Sequence, residues 1–519
     1  MIMMRNVRDN TLKHRSITHL FVSRIILLIA LTGTILCGCA VGPVFRRPDA
    51  PTVTTYTATA LPDQTVSAPV AGGEVQRFVF KKEIAEKWWM LFHSEALDTL
   101  IRRALADSPS LAVAQATLRQ AQENRRAAYG TFLPSVDASA SASRQQLSGA
   151  SSSQANVSIS PFNLYNASVA ISYTLDVFGG TRRELEALQA QVDYQQFQLE
   201  GAYLTLTSNI VTTVVREAAL RAQIQATQEI VSVQNDQLEL VEQQFTFGGV
   251  ALADVLAQRA QLAQAKATIP PLEKDLAQTR HQLAVLTGRF PSEALLPEFN
   301  LGTLKLPQEL PVSLPSSLVR QRPDIRAAES LLQAASAQVG VATANLYPRI
   351  TLTGGYGTEA LKTGDLFTGS SVIWSIGGQL LQPVFHGGAL SAKRRAAVAA
   401  YDQAAAQYRE TVLLAFRNVA DVLKALEADA RILEAQALAA KAAQETLDLT
   451  DKQFKLGAVS YLALLNAQRQ YQQTRIGLVQ AQALRFADTA ALFHALGGGW
   501  WNQGTQIVTL PITHGESER

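Results

Sequence analysis

Residues 389–455 read ALSAKRRAAVAAYDQAAAQYRETVLLAFRNVADVLKALEADARILEAQALAAKAAQETLDLTDKQFK, 67 positions with neither glycine nor proline. Val398, Ala405, Val412, Val419, Leu426 and Leu433 recur in them every seven residues, and Tyr401, Tyr408, Ala415 and Val422 follow three residues behind. An apolar seam held at that spacing for so long predicts one continuous helix packed lengthwise in the manner of a coiled coil. Residues 181–245 repeat the reading over 65 positions, with no proline and the single glycine Gly201. There Leu185, Val192, Leu199 and Leu206 are spaced by seven in a different register. At 1.5 Å per residue that segment would run about 98 Å. By themselves these two stretches describe an antiparallel coiled-coil rod.

The flanking segments carry a second pattern. Ser135-Val136-Asp137-Ala138-Ser139-Ala140-Ser141-Ala142-Ser143 alternates with period two, as a half-exposed strand does. A Ser/Gly/Gln/Asn-rich loop runs to about Asn156, and residues 166–178 alternate again over part of their length. Ahead of the second long helix the same positions are filled by residues 350–358 and 372–385, which makes four strand candidates. A helix is expected over 109–130, ended by Pro134. After each long helix a short glycine turn, Gly248-Gly249-Val250 or Gly457-Ala458-Val459-Ser460, leads to a return helix beginning near Ala251 or Ser460. Pro270-Pro271 should break or kink the first return helix, and the second has no counterpart.

These parallels amount to an internal duplication. Pro109 answers Pro323, Ala114 answers Ala328, Ala121 answers Ala335, and Leu133-Pro134 answers Tyr347-Pro348, all 214 apart. Val177-Phe178-Gly179-Gly180 answers Val384-Phe385-His386-Gly387-Gly388. Gln244-Phe245-Thr246-Phe247-Gly248 answers Gln453-Phe454-Lys455-Leu456-Gly457 at 209, and Gln258-Arg259 answers Gln468-Arg469 at 210. An ordered series with so little drift is the signature of a repeat. It divides the chain into a signal peptide (1–38), an extended N-terminal segment (39–92), repeat 1 (93–300), a linker (301–322), repeat 2 (323–499) and a tail (500–519).

The first 38 residues read as a delivery segment. Arg5, Arg8, Lys13, Arg15 and Arg24 precede a twelve-residue apolar run, 25–36, too short to span a bilayer, which takes about 20 residues. Leu36-Cys37-Gly38-Cys39 closes it. This resembles a bacterial lipobox, with Cys39 as the lipidated residue, and Ala40 resembles the outer-membrane address of such lipoproteins. An ordinary leader with two stray cysteines is the alternative. Cleavage after Gly38 would remove five basic residues and one acidic residue, turning the formal charge of +3 into −1. That balance argues against a nucleic-acid binder. Apolar residues at 47% exclude a disordered chain, and two cysteines exclude a disulfide framework.

Catalytic chemistry is hard to find. His93, His281, His386, His494 and His514 are scattered, with no paired spacing that would hold a metal. There is no nucleophile elbow, P-loop or dinucleotide fingerprint. No enzyme and no cofactor are expected, and energy for any transport would come from a partner.

Four stretches together resemble the outer-membrane factor family of tripartite export pumps, TolC-like, in its lipidated NodT-type branch. They are Cys39-Ala40-Val41-Gly42-Pro43 with Arg47-Pro48; Trp88-Trp89-Met90-Leu91-Phe92 with Leu97 and Leu100; Arg322-Pro323-Asp324-Ile325-Arg326-Ala327-Ala328-Glu329 with Tyr347-Pro348; and residues 456–469 at the second hairpin tip. Ser94-Glu95 departs from a common Asp-Pro in the second stretch. The resemblance implies an α+β membrane protein that acts as a homotrimer. Four strands per chain would make a 12-stranded outer-membrane β-barrel, continued by a long α-helical barrel in the periplasm. Physics concurs: four strands cannot close, since small barrels need about eight, and an open sheet in lipid would leave edges unpaired.

The implied function is a passive, lipid-anchored exit duct in the outer membrane of a Gram-negative bacterium. It would pass drugs or toxic small molecules delivered by a proton-driven inner-membrane pump and a periplasmic adaptor. A type I protein-secretion duct is the alternative within the class; a pore-free coiled-coil scaffold anchored by lipid is the alternative outside it. Adaptor contacts are expected at Gly248, Gly249 and Val250 and at Gly457, Ala458, Val459 and Ser460. By the same resemblance Leu462 would plug a gate and Asn466 would form a neutral polar ring beside it. Asp254 would supply a carboxylate ring or cap its helix.

Overall fold

The computed structural model describes residues 40–146 and 160–502. The leader at 1–38, Cys39, the loop at 147–159 and the tail from 503 onward, His514 included, lie outside the described residues. Helices α1 (Glu95–Asp107) and α2 (Pro109–Tyr129) precede strands β2 (Ser135–Gln145) and β3 (Phe162–Leu175). Then come α3 (Gly180–Thr246), α4 (Leu252–Ala267) and α5 (Ile269–Leu286). After α6 (Pro315–Gln321) the order recurs: α7 (Pro323–Ala344), β5 (Arg349–Ala360), β6 (Val372–Leu381), α8 (Ala389–Lys455) and α9 (Tyr461–Ala495). Strands β1 (Arg77–Phe80) and β4 (Glu309–Val312) pair in parallel apart from these. The described residues form two compact units. One draws on 40–47, 119–193 and 329–406, the other on 48–118, 194–328 and 407–502, so each takes pieces of both halves of the sequence.

The long helices have the bounds their composition predicts. Both α3 and α8 are 67 residues, and Gly201 does not interrupt α3. The heptad seam is buried at Val412, Val419, Leu426 and Leu433, whereas Val398 is exposed. Pro270 and Pro271 do break the return path: α4 ends before Thr268, and the prolines sit in the first turn of α5, where no intrahelical partner awaits their missing N–H.

Two expected strands run past their true ends. Residues 166–178 overlap β3, which begins earlier, at Phe162, and stops at Leu175 because Asp176 turns to cap α3. Its Oδ1 accepts from the Thr181 N–H at 3.0 Å and its Oδ2 from the Arg182 N–H at 3.1 Å. Residues 372–385 contain β6, but it stops at Leu381, ahead of Pro383, which has no N–H to give a ladder.

The segments expected to be merely extended or linking pack into the core of the second unit. Trp88 stacks on Phe493 with ring centroids 5.1 Å apart, and Phe92, Ile101, Ile210, Leu310 and Leu426 belong to the same buried cluster. Burying each such side chain is worth about 1.5–3 kcal/mol. Glu217 of α3, fully buried, accepts from Arg221 Nε at 2.7 Å, from Arg280 Nη1 of α5 at 2.9 Å and from the Phe299 N–H at 3.1 Å. A buried carboxylate with three donors is tolerable where an unpaired one is not.

Candidate functional site

The first unit presents a four-stranded antiparallel sheet in the order β2-β3-β5-β6. Its register sorts the side chains, because residues directly opposite each other share a face. Val136, Ile171, Gly354 and Ile376 form one cross-strand row, and Ala138, Val169, Tyr356 and Trp374 the next. Between them on the other face lie Asp137, Ala170, Gly355 and Ser375, flanked by the row Ser135, Ser172, Thr353 and Gly377. One face is therefore apolar and the other hydroxyl-rich. On the polar face Ser139 and Ser168 approach to 3.1 Å, and Thr174 and Thr351 to 3.3 Å. Among the described residues nothing covers the apolar face: Trp374 is 72% exposed and Ile376 85%. Among the described residues both outer strands, β2 and β6, have one unpaired edge. No helix among the described residues is long and apolar enough to cross a membrane.

The second unit carries the two hairpin tips, and they are built alike. At the end of α3, Gly248 N–H donates to the Phe245 carbonyl at 2.9 Å and Gly249 N–H to that of Gln244 at 2.8 Å. At the end of α8, Gly457 N–H donates to the Phe454 carbonyl and Ala458 N–H to that of Gln453, both at 2.9 Å. This is the paired Schellman closure, which needs a left-handed residue. Gly248 and Gly457 supply it at φ of 75° and 72°. Val250 tucks against the apolar cluster of the tips, and Ser460 caps α9 by accepting from the Ala463 N–H at 3.4 Å. Gly249, Ala458 and Ser460 are exposed and Val459 half-exposed. Beside each glycine stands a bare apolar knob, Phe247 at 88% exposure and Leu456 at 84%.

Leu462 and Asn466 point outward together from α9, one turn apart. Leu462 is 63% exposed, so it does not pack within its own hairpin. Asp254 differs: its Oδ2 accepts from the Ala251 N–H at 3.1 Å, so it caps the start of α4. Ala251 has no side-chain acceptor, so only this half of a capping box exists.

Sequence reasoning singled out Gln258 and Gln468 only as repeat-related neighbours. Both are buried and join the hairpins. Gln258 Nε2 donates to the Gln234 carbonyl at 2.9 Å, and its Oε1 accepts from the Tyr461 hydroxyl. Gln468 Nε2 donates to Gln237 Oε1. Their recurrence at equivalent places was the available signal.

A sheet with one greasy and one polar face, together with paired 67-residue helices, defines the class of outer-membrane channel proteins. The chain belongs to the outer membrane efflux protein family, whose model matches residues 100–289 and again 314–498. It is 33% identical over 422 residues to the pyoverdine export outer membrane protein OpmQ of Pseudomonas aeruginosa, covering 80% of this chain and 87% of that one. It is 29% identical over 487 residues to the probable efflux pump outer membrane protein TtgC of Pseudomonas putida, covering 93% and 98%. Among solved structures, the outer-membrane channel OprN superposes with a TM-score of 0.79 at 27% identity, over 89% of this chain and all of that one.

Proposed function

We propose that three copies of this chain close their sheets into one 12-stranded barrel and act as the outer-membrane exit duct of a tripartite efflux pump. The observation that carries this is the two-faced sheet with its free edges at β2 and β6. A face bearing Trp374 and Ile376 suits hydrocarbon, a face of serines and threonines suits a water-filled bore, and open edges are untenable in lipid. The recurring order of elements is an internal duplication in this reading, and α3 with α4–α5 and α8 with α9 wall a periplasmic α-barrel.

The duct is passive. A proton-driven inner-membrane pump supplies the energy, and an adaptor engages the tips at Gly248–Val250 and Gly457–Ser460, where Phe247 and Leu456 offer apolar purchase. The cargo is small molecules, a reading supported by the printed roles of OpmQ and TtgC. Lipidation at Cys39 fits the placement of the next residue: Val41 N–H donates to the Phe178 carbonyl at 3.1 Å, and Ala40 lies against Gly179, just past the end of β3. An anchor there would enter the membrane beside the barrel.

Reconstitution of the purified full chain into planar bilayers tests the reading. Discrete, trimer-sized conductance steps are expected, together with a trimer mass in detergent. Monomers that leave the bilayer silent would mean a scaffold.

A further inference from the structure

The pairing of β3 with β5 brings two helix ends together at one end of the sheet. Leu175 pairs with Ile350 there; α3 starts just beyond the one and α7 ends just before the other. That junction is covered and neutralised from within the chain. Phe178 stacks on Tyr347 with ring centroids 4.8 Å apart. The segment from Ala40 runs over it: Arg183 Nε donates to the Val41 carbonyl at 3.3 Å, and Gly42 lies against Gly340 of α7. Its cations are matched too. Arg182 pairs with Asp176 at 3.1 Å and Arg183 with Glu186 at 2.7 Å.

The other pair of helix ends has the same parts without the cover. By position in the repeat, β6 and α8 answer β3 and α3, and β2 and α2 answer β5 and α7. Phe385 answers Phe178 but is 86% exposed, and Leu133, which answers Tyr347, is exposed as well. The acids are gone. Pro383 stands in the place of Asp176, Ala392 in that of Glu184 and Arg394 in that of Glu186, and no Asp or Glu occurs between Asp365 and Asp402. Lys393, Arg394 and Arg395 are exposed and make no ion pair among the described residues. On α2, Arg126 answers Gly340, with the exposed Arg125 beside it.

In the trimer proposed above, β6 of one copy meets β2 of the next, so the seam between copies rebuilds the β3–β5 junction. The inference rests on that reading. The seam gathers Arg125, Arg126, Lys393, Arg394 and Arg395 against one nearby carboxylate, Glu123, which pairs with Arg126 at 2.8 Å. Asp137 of β2 lies on the polar face of the sheet instead. Each chain's segment from Ala40 is already spent on its internal junction. Cations crowded in this way attract a counter-ion. The bare Val384 and Phe385, next to the apolar face that bears Trp374 and Ile376, call for an anion that carries hydrocarbon.

We infer that each seam is a binding site for one anionic phospholipid. Its phosphate is held by Lys393, Arg394 and Arg395 together with Arg125 of the neighbouring copy, and its acyl chains cover Val384 and Phe385. Arg394 lies one turn beyond Ser391, as Glu186 lies one turn beyond Arg183, so it faces the groove that the segment from Ala40 fills at the internal junction.

The test is native mass spectrometry of the detergent-purified full chain mixed with dioleoylphosphatidylglycerol or dioleoylphosphatidylcholine, which differ only in headgroup. Trimers carrying up to three phosphatidylglycerol molecules are expected, with phosphatidylcholine weaker by about tenfold or more. Arg394→Glu, which restores the acid of the first repeat, should remove most of that preference, as should Lys393→Gln combined with Arg395→Gln. Arg144→Gln, at the far end of β2, should leave it unchanged. Trimers that hold both lipids equally, or α8 variants that keep the preference, would overturn the site and leave the duct reading standing. Displacement of phosphatidylglycerol by excess inorganic phosphate would overturn the lipid assignment in favour of a free anion. Monomers in every spectrum would overturn the duct reading and the seam with it.

Discussion

Tyr461, in the first turn of α9, donates its hydroxyl to Gln258 Oε1 of α4, a bond between the second hairpin and the first. Burial, with the nearby Asp254 carboxylate adding to it, pushes the phenol well above its usual range, so the donor persists at all physiological pH values. Tyr461→Phe keeps the ring against Phe454 but leaves a buried amide oxygen unpaired. A loss of about 1–3 kcal/mol is expected. Limited proteolysis should show faster cleavage at the tips, and an unchanged digestion rate would mean the bond does not hold the hairpins together.

The tip glycines make a contrasting case. A Cβ placed on Gly248 or Gly457 would meet nothing within 4 Å, so only backbone conformation demands glycine there. Gly457→Ala should therefore cost about 1 kcal/mol and leave the proposed trimer able to assemble. Photocrosslinkers at Ala458 and Ser460 should capture the adaptor in cells. Capture confined to positions near the sheet would refute the assignment of these tips as adaptor contacts.

The parts legible in the sequence were those with a period. Residues 389–455 could only be one helix, and β2 was visible from alternating Ser and Ala. Gly248 and Gly457 marked turns because few other residues accept a positive φ. The pairing of β1 with β4 escaped, since four residues are too short for a pattern and the partner lies more than two hundred positions away. The core around Trp88 and Phe493 escaped for the same reason. The polar latch of Gln258, Tyr461 and Gln468 was hidden because glutamine on a helix ordinarily reads as a solvated face.

Asp429 of α8 gives the pH dependence. Burial, together with its hydrogen bond to Asp488 and that residue's charge, lifts its carboxyl from the ordinary 3.8 to about 7, while Arg485 pulls the other way. Between about pH 4 and pH 7 the folded chain then holds a proton that the unfolded chain has released. Stability should fall as pH rises through that window and level off above it. Asp429→Asn keeps the position neutral and can donate to Asp488. It should flatten the decline and raise stability at pH 8 by about 1–3 kcal/mol. Thermal unfolding from pH 4 to pH 8 decides; parallel curves for wild type and variant would exclude Asp429 as the source.

Lipidation of Cys39 is checked by intact mass. The mature chain should begin at Cys39 and carry a diacylglycerol together with an acylated amine. Cys39→Ala should impair delivery to the outer membrane more than folding, because the proposed barrel would itself hold the chain in lipid. A terminus at any other residue would end this assignment.

The gate is the most exacting test. Leu462 and Asn466 share an outward face of α9 and are both exposed among the described residues, as residues meeting their copies on a threefold axis would be. Asp254 is occupied in capping α4, so on the proposed gate the Asn466 amides would form the polar ring. Three amides bind divalent cations weakly, whereas three carboxylates would attract them. Wild-type channels should therefore show weak block by divalent ions. Leu462→Ser removes the apolar constriction and should raise single-channel conductance several-fold. Asn466→Asp should increase cation preference and divalent block, while Asp254→Asn should lower stability by about 1 kcal/mol and leave selectivity alone. If the Leu462 and Asn466 substitutions change neither conductance nor selectivity, the constriction lies on another face. If Asp254→Asn alters selectivity, the carboxylate ring belongs to the first hairpin.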